Sequence, residues 1–349
     1  MITFDAVTKA FPGGNVAVDD LSMELPTGQI TVFVGPSGCG KTTSLRMINR
    51  TIEPSSGTIS IDGEDVTKQD AALLRRRIGY VIQNAGLFPH RTIVDNIATV
   101  PLLNGVSKKQ AREDAAELLT RVGLDESMAN RYPTQLSGGQ QQRVGVARAL
   151  AADPPVMLMD EPFSAVDPIV RESLQNEFLR LQSEIGKTIA FVTHDIDEAI
   201  KLGDNVAVLR VGGRLAQLGS PQDLLDHPAD EFVADFVGRD RGFRALSFLT
   251  ARTLEVEPVR AYVDRADAVR LVLDGSGRPQ GWTSNGTADL HALPSTFTTD
   301  DSLRLVTDLA ITSPAGAAVR VTADGVADGV VAHEAVARHL TAMRQRAGR

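Results

Sequence analysis

Cysteine is nearly absent from this chain: Cys39 is the only one, so no disulfide can form within it. A low cysteine content is typical of proteins from reducing compartments. The chain also has no run of about 18 apolar residues, the length that a membrane-spanning helix requires. Residues 1–5 lack the basic and apolar segments of a secretion signal. We therefore expect a cytosolic location, with other chains supplying any membrane-spanning helices.

Positive charge is also in deficit, since 36 Lys and Arg residues stand against 44 Asp and Glu residues, for a formal net charge of -8. Nucleic-acid backbones favour basic protein surfaces, so this balance argues against a nucleic-acid partner. We expect the local basic run at residues 75–77 to be a solvated helix face. The 349 residues are 42% apolar and 23% charged, which is ordinary for a soluble protein of one large or two smaller domains.

A glycine-rich loop follows the short apolar segment 29–34, which has the pattern of a buried strand. Its residues are Gly35, Pro36, Ser37, Gly38, Cys39, Gly40, Lys41, Thr42 and Thr43. Successive backbone N–H groups in such a loop bind phosphate, helped by the positive end of the following helix. The pattern predicts that Lys41 reaches the β- and γ-phosphates of ATP and that the Thr42 hydroxyl contacts Mg²⁺.

Two adjacent carboxylates end a second apolar segment, at residues 156–159. Ligands of open α/β sheets bind at the carboxyl ends of strands. We therefore predict that Asp160 holds Mg²⁺ through water and that Glu161 acts as the general base on the attacking water.

A second glycine pair occurs in the segment Leu136, Ser137, Gly138, Gly139 and Gln140, just before a predicted helix. Ser137 is a plausible helix N-cap, and a helix N-terminus of this kind is also an anion site. Because the phosphate loop already serves one triphosphate, we expect this second site to serve the nucleotide of another copy. The pattern thus predicts a head-to-tail homodimer in which each chain closes over the ATP of its twin.

Three single residues complete the predicted site. Gln83 follows the predicted strand 78–82 and is expected to contact Mg²⁺ and water, and His194 follows another strand and is expected to donate to the γ-phosphate. Phe11 is expected to stack on adenine. Taken alone, each has an ordinary structural explanation, namely a surface amide, a capping histidine and a core aromatic. Their position relative to the other motifs favours the functional interpretation.

Strands and helices alternate in the predicted pattern of residues 155–240, which favours parallel βαβ units. Residues 70–150 are mostly helical in pattern, including a helix at 108–121. From about residue 245 the sequence changes to short Ala- and Val-rich strands with a weak repeat. Residues 268–270 and 318–320 are each followed by Asp-Gly, 50 residues apart, and then by Gly281-Trp282 or Gly329-Val330. The pattern predicts two strand-turn-strand copies or two unrelated hairpins.

In the order of these motifs, residues 1–240 resemble the ATP-binding subunits of ABC transporters. The matching segments are Walker A at 35–43, the Q-loop at Gln83, the signature at 136–140, Walker B at 156–161, the D-loop at 164–167 and the switch histidine at His194. The resemblance implies an α/β P-loop ATPase with a mixed β-sheet core and a helical subdomain at roughly 85–150, using ATP and Mg²⁺. It also implies that Asp167 contributes to the nucleotide site. Val166 stands where leucine is usual, and Phe11 stands where many members have tyrosine.

The same resemblance implies partners and location. Members work as ATP-closed homodimers that move integral membrane permease subunits from the cytoplasmic face of the membrane. More narrowly, the stretches 83–90, 159–165 and 236–242 are similar to those of importers of glycine betaine, carnitine or choline. Such importers generally also use a substrate-binding protein. The alternatives are an importer of another solute, such as a sugar or an amino acid, or a cytosolic ATPase of this family that acts on ribosomes or DNA.

The C-terminal region of that subfamily often holds paired cystathionine-β-synthase-type (CBS) modules. We therefore expect residues 245–349 to form a small α+β domain of degenerate CBS type, with a regulatory or dimerising role. Ala332 and Ala335 stand where the module usually has a hydroxyl and an acid, which argues against an adenosine ligand.

Overall fold

The computed structural model describes residues 1–83, 85–238, 240–264, 269–283 and 290–347. The chain divides into two compact units, Met1–Val237 and Gly238–Arg349. Three residues used in the sequence arguments, Asn84, Arg239 and Ala268, lie outside the described residues.

The strands within the described residues are β1 Ile2–Ala10, β2 Val16–Leu25, β3 Ile30–Val34, β4 Ser56–Ile61, β5 Glu64–Asp65, β6 Ile78–Val81, β7 Val156–Asp160, β8 Thr188–Val192, β9 Asn205–Leu209, β10 Leu215–Gly219, β11 Arg270–Leu273, β12 Pro279–Thr283, β13 Leu290–Ala292, β14 Ala317–Val321 and β15 Ala327–Ala332. The helices are α1 Lys41–Ile48, α2 Ala71–Arg76, α3 Ile93–Ile97, α4 Thr99–Leu103, α5 Lys108–Arg121, α6 Gly138–Leu150, α7 Pro168–Ile185, α8 Ile196–Leu202, α9 Pro221–Asp226, α10 Glu231–Val237, α11 Arg241–Ala245, α12 Arg260–Val263, α13 Leu303–Thr312 and α14 His333–Ala347.

The first unit is built on a mixed sheet whose described strands have the order β10-β9-β3-β8-β7-β6. All neighbours pair in parallel except β10, which runs antiparallel to β9. Strands β3, β7 and β8 are buried along their whole length, as their continuous apolar sequences require when both faces of a sheet are covered. The predicted α/β fold with a mixed sheet core is confirmed. The loops after β3, β6, β7 and β8 therefore lie at one edge of this sheet.

A second, antiparallel sheet in the same unit has the described order β2-β1-β4-β5. Phe4 of β1 contacts Phe33 of β3 edge-on, with ring centroids 6.3 Å apart, within one apolar cluster shared by the two sheets. Strands β2 and β10 were not among the predicted strands. In β2 the buried Leu21, Met23 and Leu25 alternate with exposed residues, but Asp19 and Asp20 interrupt this pattern where the pairing with β1 shifts register.

The segment after β6 is mainly helical, as the pattern predicts. Ala111, Ala115 and Leu119 of α5 are buried, and Asp95 of α3 forms an ion pair with Arg112 of α5. The basic run at 75–77, which we expected to be a solvated helix face, is only partly solvated. Arg76 is half-buried and donates to the backbone oxygen of Leu103 over 3.0 Å, so it ties α2 to α4. Within the described residues, no helix is both long and apolar enough to cross a bilayer.

The second unit contains two β-hairpins, β11–β12 and β14–β15, with the same register. Each partner pair of the first recurs 48 residues later in the second, from Arg270–Thr283 (270 to 318 and 283 to 331) through to Leu273–Pro279 (273 to 321 and 279 to 327). The register shift before the turn recurs too. The turn glycines, Gly277 and Gly325, have φ of 81° and 80°. The repeat is therefore structural. Its offset is 48 residues, so the predicted offset of 50, read from the two Asp-Gly pairs, is wrong by two residues.

The hairpin β14–β15 separates two apolar clusters of this unit. Val319 and Val330 pack with Tyr262, Leu271 and Trp282 on one face. Ala318 and Val331 join a second cluster with Phe297, Leu303, Val306 and Val336. Because side chains alternate across a strand, a short hairpin without long apolar runs can cover both clusters.

Candidate functional site

The glycine-rich loop connects β3 directly to α1, as the sequence predicts. Gly40 is the N-cap of α1 in the left-handed conformation, with φ of 88°, and a Cβ there would lie 2.2 Å from the backbone oxygen of Ala17. No side chain caps this helix. Its first N–H groups therefore remain available to an anion, which is the arrangement that binds phosphate.

Lys41 lies inside this loop and is only 7% exposed. Its Nζ donates to the backbone oxygens of Gly35, over 2.8 Å, and Pro36, over 3.1 Å. Cys39 is fully buried beside it. Burial raises the pKa of the Cys39 thiol, and the nearby charge of Lys41 partly offsets that rise. Carbonyl oxygens thus hold an ammonium group at the point where a phosphate would compete for it.

Asp160 ends β7 with a buried carboxylate. Its Oδ1 accepts from the Thr42 hydroxyl over 2.9 Å. Its Oδ2 lies 3.5 Å from an Arg46 guanidinium nitrogen and 3.4 Å from the Tyr80 hydroxyl. A hydroxyl and a carboxylate that converge at a phosphate loop are the oxygen donors that Mg²⁺ prefers. The residues present therefore fit a magnesium ion, with Thr42 and Asp160 on its protein side.

Glu161 follows Asp160 with a left-handed backbone, φ 48°. For a non-glycine residue this conformation costs on the order of 1–3 kcal/mol, and such strain clusters at functional sites. It directs the Glu161 carboxylate away from the strand toward His194, whose Nδ1 lies 3.1 Å from Glu161 Oε2. The His194 side chain is 64% exposed and that of Glu161 is 23% exposed, so water reaches the pair.

The glycine-rich loop, Glu161 and His194 face a common cleft of about 660 Å³, and the buried Asp160 lies behind its lining residue Thr42. The residues lining it are Phe11, Asn15, Ala17, Ser37, Gly38, Cys39, Gly40, Lys41, Thr42, Thr43, Glu161 and His194. The volume falls within the range of ordinary small-molecule sites. Phe11, which is 37% exposed, forms part of the wall, with Lys9 Nζ 5.2 Å from its ring centroid. The structure thus brings together the loop, the base candidate, the histidine and the aromatic.

The other predicted residues lie outside the lining of this cleft. Ser137 caps α6 and forms a capping box with Gln140: Gln140 N donates to Ser137 Oγ over 3.3 Å, and Ser137 N donates to Gln140 Oε1 over 2.9 Å. Ser137 and Gly138 are exposed, and Gly139 is half-buried. Gln83 and Asp167 are also exposed. A role for these residues at a nucleotide requires a surface brought to them from another chain or a movement within this one.

Sequence reasoning missed four residues here. Arg46 and Tyr80 contact Asp160, and Asn15 and Ala17 line the cleft. Arg46 lies four residues after Thr42, so the two share a face of α1, which is a signal that the sequence does contain. Tyr80 belongs to β6, the parallel neighbour of β7, and that pairing is not visible in the sequence. Asn15 lies just before β2 and Ala17 is the second residue of β2, a strand missing from the prediction.

Comparisons with known proteins agree with this geometry. The sequence pattern of the ABC transporter family matches residues 18–164. The osmoprotectant import ATP-binding protein OsmV of Salmonella typhimurium is 44% identical over 374 aligned positions, covering 99% of this chain and 98% of OsmV. The choline transport ATP-binding protein OpuBA of Bacillus subtilis is 50% identical over 277 residues, covering 78% of this chain and 72% of OpuBA.

Among solved structures, the dimeric ATP-binding cassette MJ0796, bound to ADP and Pi in a post-hydrolysis state, is similar with a TM-score of 0.57 and 34% identity. The match covers 63% of this chain and 99% of the cassette. The near-complete alignment with OsmV includes the second unit, for which the cassette has no counterpart. The chain therefore belongs to the ATP-binding proteins of ABC transporters, and its relatives are ATP-binding subunits of osmoprotectant, glycine betaine, carnitine and choline transporters.

Proposed function

We propose that this chain is the ATP-hydrolysing subunit of an importer for a quaternary amine osmoprotectant. The observation that carries the proposal is the alignment with OsmV over 99% of this chain and 98% of OsmV. Osmoprotectants of this kind are taken up through separate integral membrane permease subunits, served by a substrate-binding protein. The chain would act at the cytoplasmic face of the membrane as a peripheral subunit.

In this proposal ATP enters the cleft with its adenine against Phe11 and its phosphates against the N–H groups that begin α1. Lys41 exchanges its bonds to Gly35 and Pro36 for the β- and γ-phosphates. Glu161 accepts a proton from the attacking water, and His194 orients the carboxylate and donates to the γ-phosphate. The 3.1 Å contact between Glu161 and His194 supports this division of roles.

Thr42 and Asp160 are the residues that would hold Mg²⁺, with Gln83 approaching from the end of β6. The ion would supply positive charge that offsets the charge developing on the phosphates. Arg46 and Tyr80 keep the Asp160 carboxylate in place on the side opposite Thr42, which supports its role as a fixed oxygen donor.

A homodimer is part of the proposal. The exposed capping-box turn at residues 137–140 and the exposed Asp167 would serve the nucleotide of the partner subunit. Two observations support this: the residues lie outside the cleft of their own chain, and the similar cassette MJ0796 is dimeric with ADP and Pi bound. The capping box uses the N–H groups of Ser137 and Gln140, and the positive end of α6, which begins at Gly138, is a suitable cover for a γ-phosphate.

The permease subunits would contact a groove of about 250 Å³ beside the Q-loop. Arg76, Phe88, Val100 and Arg148 are among the residues that line it. Leu102 and Leu103 are exposed at the end of α4, where Arg76 holds the Leu103 backbone. Exposed apolar side chains beside a groove are typical of protein-protein contact surfaces.

We assign the ATP-binding domain to residues 1–240 and a degenerate CBS-type domain, regulatory or dimerising, to residues 245–349. The two hairpins with identical register at a 48-residue offset support an origin as paired modules. The β14–β15 hairpin between two apolar clusters supports a structural role for the second copy.

The direct test is uptake of radiolabelled glycine betaine by cells that carry the transporter, with and without this chain. Uptake is expected with the wild-type chain and not with Glu161→Gln, which keeps the fold and removes the proton acceptor. Equal uptake without the chain would disprove the quaternary amine assignment. If the cells instead accumulate a labelled sugar or amino acid only when this chain is present, the chain serves an importer of that other solute.

A further inference from the structure

A buried polar cluster lies between α7 and α8, away from the cleft. Its members are Arg171, Gln175, Thr193 and Glu198. Gln175 and Glu198 are each 7% exposed, and Thr193 is 1% exposed. Buried polar groups destabilise a fold unless their hydrogen bonds are satisfied, so such a cluster constrains its members to one arrangement.

Glu198 is the centre of this cluster. Gln175 Nε2 donates to Glu198 Oε1 over 3.0 Å. The backbone N–H of Glu198 donates to Asp195 Oδ1 over 3.4 Å, and the backbone N–H of Asp195 donates to the Thr193 hydroxyl over 3.0 Å. Burial raises the pKa of Glu198, and the neighbouring Thr193 and Gln175 side chains partly offset the rise. Glu198 therefore belongs to a hydrogen-bond network that includes Thr193 and Asp195, the residues on either side of His194.

Arg171 connects the same cluster to the D-loop at 164–167. One guanidinium nitrogen of Arg171 donates to the Val166 backbone oxygen over 3.1 Å. Its positive charge acts on Glu198, and its buried Nε has no hydrogen-bond partner within the described residues. The D-loop backbone thus holds the guanidinium of Arg171, one helical turn before Gln175 on α7.

We propose that Glu198 is a positioning residue that makes the orientation of His194 depend on the position of the D-loop, through Arg171 and Gln175 of α7. The inference rests on the proposed function, in which the D-loop meets the partner subunit. A shift of the D-loop moves the start of α7, and the Gln175–Glu198 bond carries that shift to Thr193 and the backbone around His194. None of these groups lines the cleft, so the effect falls on turnover and not on nucleotide binding.

Exchanging the two partners of the buried hydrogen bond tests this proposal in the full-length chain. Gln175→Glu places two carboxylates face to face, and the kcat of ATP hydrolysis is expected to fall about tenfold with the KM for ATP unchanged. The double variant Gln175→Glu, Glu198→Gln restores one amide and one carboxylate in reversed order. Its kcat is expected to return to within about threefold of wild type.

A matched control is available on the same two helices. Lys201 of α8 and Glu172 of α7 form an ion pair of 3.8 Å at the surface, with side chains 32% and 75% exposed. Exposed pairs contribute little, so Glu172→Gln is expected to leave kcat and KM unchanged. A loss in this control as large as in Gln175→Glu would attribute the effect to general helix packing and overturn the proposal.

The orientation of His194 gives a readout that is independent of turnover. Its Cε1–H resonance, assigned with His194→Ala among the six histidines, is expected to shift in Gln175→Glu and to return in the double variant. A resonance that stays at the wild-type position in all variants would overturn the proposal. So would a double variant no more active than the single one, or a loss confined to KM.

Two further measurements keep the result decisive. If Gln175→Glu does not fold, the variant Glu198→Gln tests the proposal instead, because it adds no charge to the interior. The kcat of Glu198→Gln is expected to fall about threefold at unchanged KM. An unchanged kcat would overturn the proposal.

The wild-type chain and Glu161→Gln are assayed in parallel. An inactive wild type would count against the proposed function, whereas an active wild type with no rescue counts against this inference alone.

Discussion

Glu161 Oε2 and His194 Nδ1 lie 3.1 Å apart, although the two residues are 33 positions apart in the sequence. Adjacent parallel strands, β7 and β8, deliver them to the same edge of the sheet. The left-handed backbone of Glu161 then turns its carboxylate toward the imidazole. The proposed proton acceptor and its proposed orienting group are therefore already in contact in this structure.

Glu161→Gln is expected to lower kcat for ATP hydrolysis by at least about 100-fold, because an amide does not accept the proton of the attacking water. ATP binding should persist, since the phosphate loop is unchanged. Size-exclusion chromatography with ATP should then show a stable dimer. Turnover close to wild type in this variant would contradict the assignment of the general base.

Lys41→Ala is expected to weaken ATP binding by about 10- to 100-fold, because a charge-assisted hydrogen bond to phosphate contributes about 1.5–3 kcal/mol. Equilibrium titration with a fluorescent ATP analogue measures the change. Lys68→Ala is the control, since the Lys68 side chain is 82% exposed and lies on a surface turn. Equal affinities of the two variants would contradict a phosphate contact by Lys41.

Ser137→Arg is expected to leave ATP binding by a single chain intact and to abolish hydrolysis, because the bulky cation disturbs the partner's nucleotide. Hydrolysis is followed by phosphate release. The matched control is Ser183→Arg at another exposed serine of the same unit, which should be active. Wild-type turnover of Ser137→Arg would contradict the head-to-tail dimer.

A mixture of two inactive variants gives a sharper form of the dimer test. In a head-to-tail dimer of one Ser137→Arg chain and one Lys41→Ala chain, one of the two sites has both of its halves intact. Random mixing should therefore restore about a quarter of wild-type turnover if intact sites work independently. A mixture as inactive as its components would argue that both halves of a site come from the same chain.

Cys39 is expected to react slowly with iodoacetamide in the native chain at pH 7, because it is fully buried and burial raises the pKa of its thiol. The rate should increase with pH as the thiolate fraction grows, and ATP should lower it further. Mass spectrometry of the labelled chain measures the rate, with the chain unfolded in urea as the control. Fast, complete labelling of the native chain at pH 7 would contradict this burial.

Local pattern was sufficient for much of the fold. The apolar runs of β3 and β7 are buried strands, and α5 begins and ends at the predicted residues. Each of these elements carries its own signal in period, apolar content or end residues. Strand β2 carries a weaker signal, because Asp19 and Asp20 interrupt its alternation where the pairing with β1 shifts register.

The sequence by itself determined the chemistry of the site: a phosphate loop, two acids after a strand and a histidine after the next, in a fixed order. Tertiary structure alone decided which of these groups meet and what holds them. The contacts of Arg46 and Tyr80 with Asp160 and the hydrogen bond between Gln175 and Glu198 join segments distant in sequence. Their partners are fixed by strand order, register and helix packing, which depend on the whole chain folding together.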